Sequence, residues 1–573
     1  MSVSRRNYEQ FNSMKTENSD ENTEKKEDVE GHLKKLDPDK FVQSYGNYGK
    51  YQILTYILVQ TLNFFYSSSM YVMSFVQLNL EKTCLYENET LSMSQTCSIE
   101  DEKHKGFRKQ CGVVAGTEIN ITNGHTARTN LLIDFNLSCS HWFFQEFGLT
   151  IFTTAAIVAV PIMSMLADKY GRKPIIVFSA ILAFLANLAA SFSPNYAVFL
   201  CLRAIVGASS DTYLSVGSVA TCEYISEKAR AWITVVYNVA WSLGMVWTLL
   251  VTLMTDDWRW RYFIVVFPGI YAFSLWCFLP ESPHWLIVKN RTEKLKKYIE
   301  TANRINKKTP DFSECQQSSH HEEKHESFKA LLGSKKLIWI LFANGFIEMV
   351  ISLVYFAISF LCAELGGDHV RAFLFSSIVE IPAGLSVLPL MMFMGRKTIV
   401  IWCLVFQTLA LIAVTVFLHS YTMNLLMMLI AKIMATIIYS VHPIWANEQF
   451  PTSVRSLCFS LMNVPQSLGI IMSPYLKHIA MSPNWLPYVV IALFSFISAT
   501  LAFMLNETKN TKLPTDVESL TNPTEAADLA AYCSSTSSST VSSISKKNTK
   551  SSKKTSSNEN MTKSLGTVTF SSE

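Results

Sequence analysis

The chain has 573 residues, 49% hydrophobic, 12% aromatic and 16% charged, with a formal net charge of +4. A soluble protein of this length carries about a quarter charged residues, so an ordinary soluble globular domain is excluded. The small net charge excludes no class of partner, because the distribution of charge decides more than its sum.

Residues 1–50 are polar, and Met1 to Lys40 is charged throughout, with no cleavable signal peptide visible. The first apolar segment is then its own insertion signal. Apolar runs long enough to cross a hydrocarbon core of about 30 Å fall at 52–76, 143–166, 174–192, 196–219, 231–254, 261–280, 337–362, 371–393, 398–418, 423–446, 457–479 and 485–505. Six precede the polar stretch 281–336 and six follow it. Lys and Arg are retained in the cytoplasm. Lys169, Arg172, Lys173, Lys228, Arg230, Arg396, Lys397 and Arg455 all sit in turns on one side, which predicts that both termini are cytoplasmic.

That orientation places the loop 77–142 outside. It carries Cys84, Cys97, Cys111 and Cys139, which an oxidising compartment pairs; three connectivities are open. It also carries sequons at Asn88, Asn120 and Asn136, the expected glycosylation sites, whereas those at Asn290, Asn506 and Asn560 face the cytoplasm and stay bare.

The turn after the second span reads Ala167-Asp168-Lys169-Tyr170-Gly171-Arg172-Lys173-Pro174. A tight turn between spans uses a Gly that tolerates left-handed φ and a Pro that opens the next helix. Asp168 is expected against a neighbouring helix N-terminus, with Arg172 bridging to a second acidic group. The turn resembles the signature of the major facilitator superfamily. Met394-Gly395-Arg396-Lys397 repeats it in part after the eighth span, which suggests two related six-helix bundles. Glu223 and Arg230 after the fourth span, and Glu448 and Arg455 after the tenth, share a spacing of seven residues. Each pair is a candidate clasp that breaks as the halves rock.

Further strings make the resemblance specific. Gly46 to Gln52 precedes the first span, Asp134 to Cys139 closes the outer loop, and Asp257-Trp258-Arg259-Trp260 precedes the sixth span. Pro280-Glu281-Ser282-Pro283-His284-Trp285-Leu286 follows it, Glu380-Ile381-Pro382-Ala383 lies in the eighth, Glu448 to Arg455 follows the tenth, and Asn506-Glu507-Thr508-Lys509 ends the twelfth. Together they resemble the solute carrier family of organic cation, organic anion and carnitine transporters. The resemblance implies an all-α membrane protein of twelve transmembrane helices in two six-helix bundles. The expected organisation is a cytoplasmic segment at 1–50, an N-terminal bundle at 51–280, a cytoplasmic linker at 281–336, a C-terminal bundle at 337–510, and a disordered Ser/Thr/Lys-rich tail at 511–573.

In such a fold substrate sits near the midplane between the halves. Gln60, Asn63 and Ser67 give the first span a polar face, and Arg203, Gly207, Asp211 and Ser215 do so for the fourth. Glu348, Ser352 and Tyr355 share a face of the seventh span; Lys432, Thr436 and Ser440 share one of the tenth. Small residues such as Gly207 also serve helix packing. A carboxylate at mid-bilayer costs roughly 2.5–3.5 kcal/mol on insertion scales, so Asp211 and Glu348 are expected to line the pathway or to pair with a base such as Arg203 or Lys432. Tyr237, Asn238, Trp241, Tyr355 and Phe356 complete the expected lining, with the rings offering faces to a cation. Arg203, Glu380 and Lys432 are read as structural or coupling residues. The resemblance implies a charge selector seven residues before Pro474; Ser467 stands there and is neutral.

The expected function is secondary transport of a small organic ion across the plasma membrane by alternating access, an organic cation or carnitine-like zwitterion being favoured. An organic anion, a sugar, or a receptor role without transport are the alternatives. No Gly-rich nucleotide-binding loop and no metal cluster is read. His320, His321 and His325 lie in a charged linker. No enzyme activity, cofactor or nucleic acid partner is expected; the partners are the organic ion, membrane lipid and a coupling ion the sequence does not specify.

Overall fold

The computed structural model describes residues 36–46, 49–77, 83–86, 89–92, 130–135, 137, 142–226, 233–309, 333–364, 369–451, 454–479 and 485–509. In a bilayer each backbone polar group must be satisfied within the chain, which leaves helices as the local solution. The first six spans are Lys50–Val76, Phe147–Tyr170, Arg172–Ser191, Tyr196–Tyr224, Ile233–Met254 and a broken sixth. The sixth runs Trp258–Val266, tightens through Phe267–Tyr271 at Pro268, and resumes at Ala272–Phe278. The last six are Lys335–Glu364, His369–Phe393, Arg396–Val416, Tyr421–Gln449, Arg455–Met472 with its extension to Ile479, and Leu486–Met504.

The all-helical architecture expected from the sequence is present, with two corrections. The loop after the first span contains an antiparallel hairpin pairing Thr83–Tyr86 with Glu89–Ser92. Among the described residues, ten helices meet the length and hydropathy of a membrane span; the first and eleventh do not. The first carries Gln52, Gln60, Asn63 and a Ser67-Ser68-Ser69 run, all buried. It is sheltered by protein, so it need not be apolar all round.

Helices of each half pack on one another, and the halves meet where the fifth span lies on the eighth and the eleventh on the second. Apolar side chains such as Val158, Met165, Phe393 and Phe503 point outward, as a hydrocarbon solvent allows. Where helices approach closely, glycine supplies the room. A Cβ at Gly207 would meet the Phe152 carbonyl oxygen at 2.0 Å, and one at Gly469 the Met349 carbonyl oxygen at 2.1 Å.

The stretch 281–336 is not a uniform polar linker. Ser282 caps the helix Pro283–Val288, and the helix Thr292–Asn306 follows. Trp285, Leu295 and Tyr298 pack with Phe41, Tyr45 and Tyr51 into a separate apolar cluster beneath the first half. Asn306 accepts from the Tyr51 amide at 2.9 Å and donates to Gln52 at 3.0 Å; the Tyr45 hydroxyl donates to Asn303 at 3.0 Å.

Candidate functional site

On the face that carries the basic turns, Gly171 adopts φ +113°, and a Cβ there would meet Glu281 Oε2 at 2.3 Å. Glu281 accepts from the backbone N–H groups of Arg172 at 2.7 Å and Lys173 at 3.0 Å. It is therefore Glu281, not Asp168, that sits on the N-terminus of the third span, where the helix dipole favours an anion. Asp168 pairs instead with Arg172 on the next helical turn, and Arg172 reaches Glu223 at 3.1 Å. The second half repeats this plan. Arg396 pairs with Glu448 at 3.5 Å, and a Cβ at Gly395 would meet Glu507 Oε2 at 2.0 Å. Burial raises the Glu507 carboxyl, but the backbone N–H groups of Lys509, Thr508, Lys397 and Thr398 outweigh it and hold the group below its ordinary value.

The expected clasp of Glu448 with Arg455 thus forms differently. Glu448 pairs with Arg396, while Arg455 donates to the Phe450 carbonyl at 3.2 Å. Glu223 is held by Arg172, and Arg230 lies outside the described residues. Equal spacing in sequence did not locate the partner, because the arginine that opens the preceding span lies against the carboxylate at the end of this one.

At the midplane, the eighth and tenth spans bring Glu380 and Lys432 together at 2.8 Å with both side chains almost fully buried. Tyr355 from the seventh span donates to Glu380 at 2.6 Å, and Ser242 from the fifth donates at 3.3 Å. Lys432 also donates to Ser359 and lies over the Tyr355 ring, 3.4 Å from its centroid. Its charge is matched within the protein. Glu348 has a different partner, His442, at 2.5 Å. His442 Nε2 is buried without a hydrogen-bond partner.

Arg203 is fully buried among neutral groups. It donates to the Ser69 carbonyl and the Tyr262 hydroxyl, each at 3.1 Å, and its guanidinium stands over the Phe152 ring at 4.7 Å. Neither base suggested for Asp211 is therefore its partner. Asp211 meets the hydroxyl of Tyr66 from the first span. Tyr66 in turn packs against Trp241 at 5.5 Å, and Trp241 stacks with Tyr237 at 5.9 Å. The buried Trp241 Nε1 has no partner. The result is a carboxylate on Tyr66, the first of three aromatic rings packed in series, one of which keeps a free donor.

Contacts join the halves around this point. Asn238 donates to Ser440 at 3.2 Å, and Tyr71 donates to Ser359 at 3.3 Å. Trp241 approaches Phe356 at 6.4 Å. Nearer the face opposite the basic turns, Glu146 meets His478 at 3.2 Å, and Phe143 stacks on Tyr475 at 5.5 Å. Asn63 donates to Gln60, although its buried Oδ1 has no hydrogen-bond partner, and Ser467 donates to the Asn463 carbonyl. Asn88, Asn120, Asn136, Cys97, Cys111 and Cys139 lie outside the described residues, as does the side chain of Cys84.

Tyr66, His442, Glu281 and Glu507 were not singled out as site residues from the sequence. Tyr66 lies three residues after Asn63 and could have been found on the polar face of the first span. The partnership of His442 with Glu348 joins positions 94 residues apart and leaves no local signal.

Comparison with known proteins follows the same lines. The family model described as "Sugar (and other) transporter" matches residues 110–513. The chain is 74% identical to "Putative transporter B0361.11" of Caenorhabditis elegans, covering all of this chain and 99% of that protein. It is 27% identical to the "Organic cation transporter-like protein" of Drosophila melanogaster, over 66% of this chain and 70% of that one. The inward open structure of the xylose transporter XylE from E. coli superposes with a TM-score of 0.55 at 13% identity, covering 81% of this chain and 98% of the other.

Proposed function

The chain belongs to the sugar (and other) transporter family, a secondary transporter of the major facilitator superfamily and not an enzyme, and from that membership we propose that its substrate is a small organic cation or carnitine-like zwitterion. The observation that carries the reading is the pairing pattern at the midplane. Glu380 is matched by Lys432, and Glu348 meets His442, whereas Asp211 meets only the neutral Tyr66 among the partners described. Tyr66, Tyr237 and Trp241 add ring faces of the kind that attract a quaternary ammonium group. The free Trp241 N–H is a donor suited to the carboxylate of a zwitterion. The printed name of the Drosophila relative points to the same class. The neutral Ser467 leaves the selection of charge to the fourth span.

Asp211→Asn keeps the shape and removes the charge. It is expected to weaken uptake of a tetraalkylammonium probe by about 1–3 kcal/mol, roughly 5- to 150-fold in apparent affinity, at matched protein level. Unchanged affinity for the probe, or competition by neutral sugars alone, would sink the cation reading.

The proposed setting is the plasma membrane with both termini in the cytoplasm, halves at 51–280 and 337–510, and a glycosylated, disulfide-bonded loop at 77–142. Treating intact cells with a glycosidase is expected to shrink the protein. Replacing Asn88, Asn120 and Asn136 together by Gln should abolish that shift; a persisting shift would invert or redraw the topology.

A further inference from the structure

A cavity of about 460 Å³ opens on the basic face beside the end of the sixth span. That is within the ~300–1,000 Å³ range of small-molecule sites. Three ammonium groups line it. Lys173 comes from the first turn of the third span, and Lys294 and Lys297 from one face of the helix Thr292–Asn306. Thr301, a turn further on, adds a hydroxyl. Glu281 also borders the cavity, but its carboxylate is engaged by the backbone N–H groups of Arg172, Lys173 and Ser282. It keeps its charge, but one carboxylate stands against three ammonium groups, so the lining is cationic on balance.

The other wall is aromatic and open. Tyr170 and Trp276 line the cavity while remaining 58% and 64% exposed. Both stand at the ends of spans, where amphipathic rings sit at headgroup level. A ligand can therefore enter sideways from the leaflet, with a charged end among the lysines and an apolar end against the rings. A soluble phosphate ester satisfies the first requirement and not the second.

We propose that this cavity binds the phosphorylated headgroup of an anionic membrane lipid, with its phosphates against Lys173, Lys294 and Lys297 and its chains running past Trp276. Basic pockets between spanning helices on the cytoplasmic side suit such headgroups. The site lies apart from Asp211. It rests on the proposed orientation, which the glycosidase experiment tests separately.

The test uses the full-length protein in phosphatidylcholine nanodiscs, with phosphatidylinositol bisphosphate added as probe. Bound lipid is counted by native mass spectrometry, and protection is read from the unfolding temperature. Wild type should retain the lipid and unfold at a higher temperature in its presence. Each lysine near the surface contributes about a fivefold change, so K173Q/K294Q/K297Q together should weaken retention on the order of a hundredfold. Lys289→Gln with Lys307→Gln, at exposed lysines outside the cavity, should leave it unchanged. Because the triple variant also alters the neighbourhood of Glu281, the double variant K294Q/K297Q is measured beside it and should lose about 25-fold. Equal retention in wild type and in both cavity variants would overturn the site. Soluble inositol trisphosphate binding as tightly as the lipid would overturn the membrane source.

Discussion

Lys432→Met is expected to yield little folded protein, because it strands the Glu380 carboxylate in the middle of the second half. The two groups lie 2.8 Å apart with side-chain exposures of 0% and 2%. Removing one member of a buried pair costs about 3–5 kcal/mol, since the other charge remains without compensation. Stability is commonly only about 5–15 kcal/mol in total, so the loss is a large share of it. Tyr355 and Ser242 still donate to Glu380, but neutral donors do not cancel a charge. The partner experiment is Lys432→Met with Glu380→Gln. It removes both charges at similar volume and should recover most of the folded yield, because a buried pair contributes little net stability over a neutral replacement. Size-exclusion profiles and unfolding temperatures of detergent-extracted protein decide it. A single variant as stable as wild type, or a double variant no better than the single, would show that the pair is not held together in the folded protein.

Gly207→Ala and Gly469→Ala should be the next most damaging changes. Each adds one methyl group where the backbone of a neighbouring helix already stands, against Phe152 and Met349 respectively. A carbonyl oxygen at 2.0–2.1 Å cannot move without its helix. Overpacking typically costs about 1–3 kcal/mol and occasionally more, and here relief requires separating two spans. Gly148→Ala is the contrast. Its Cβ would meet the terminal methyl of Met73 at 2.8 Å, the free end of a flexible side chain that can turn aside. The expected order of unfolding temperatures is wild type, then Gly148→Ala close behind, then the other two well below. If the three alanine variants are indistinguishable, close backbone packing is not what those glycines provide.

The spans were legible in the sequence because hydrocarbon solvent imposes length and hydropathy on most of them. Even the polar first helix announced itself by periodicity: Gln60, Asn63 and Ser67 recur at helical spacing. The packing role weighed for Gly207 agrees with the carbonyl beneath it. Partners across helices were much less legible. Glu448 was assigned to the arginine seven residues on, yet it meets Arg396, 52 residues earlier in the chain. Asp168 was given the helix N-terminus that Glu281 occupies. In both cases the right residue types were read from the right turns, and the error lay in the choice among neighbours that only the packing of three helices resolves. The docked helix Thr292–Asn306 was not legible for a related reason. Its inner face, Leu295, Tyr298 and Ala302, is buried, and the average polarity of the stretch 281–336 hides that division.

The docked helix Thr292–Asn306 also bears on how the polypeptide divides into working parts. Its bonds run to Tyr45, Tyr51 and Gln52, all of them in or just before the first span, and among the described residues the cluster it completes contains none from beyond Ile305. It is a plinth fixed under one half. The first bundle therefore carries a docked appendage that runs at least to Asn306, beyond the end of the sixth span. A piece ending at Pro280 would expose Phe41, Tyr45 and Tyr51 to water, whereas one ending beyond 309 carries away its own floor.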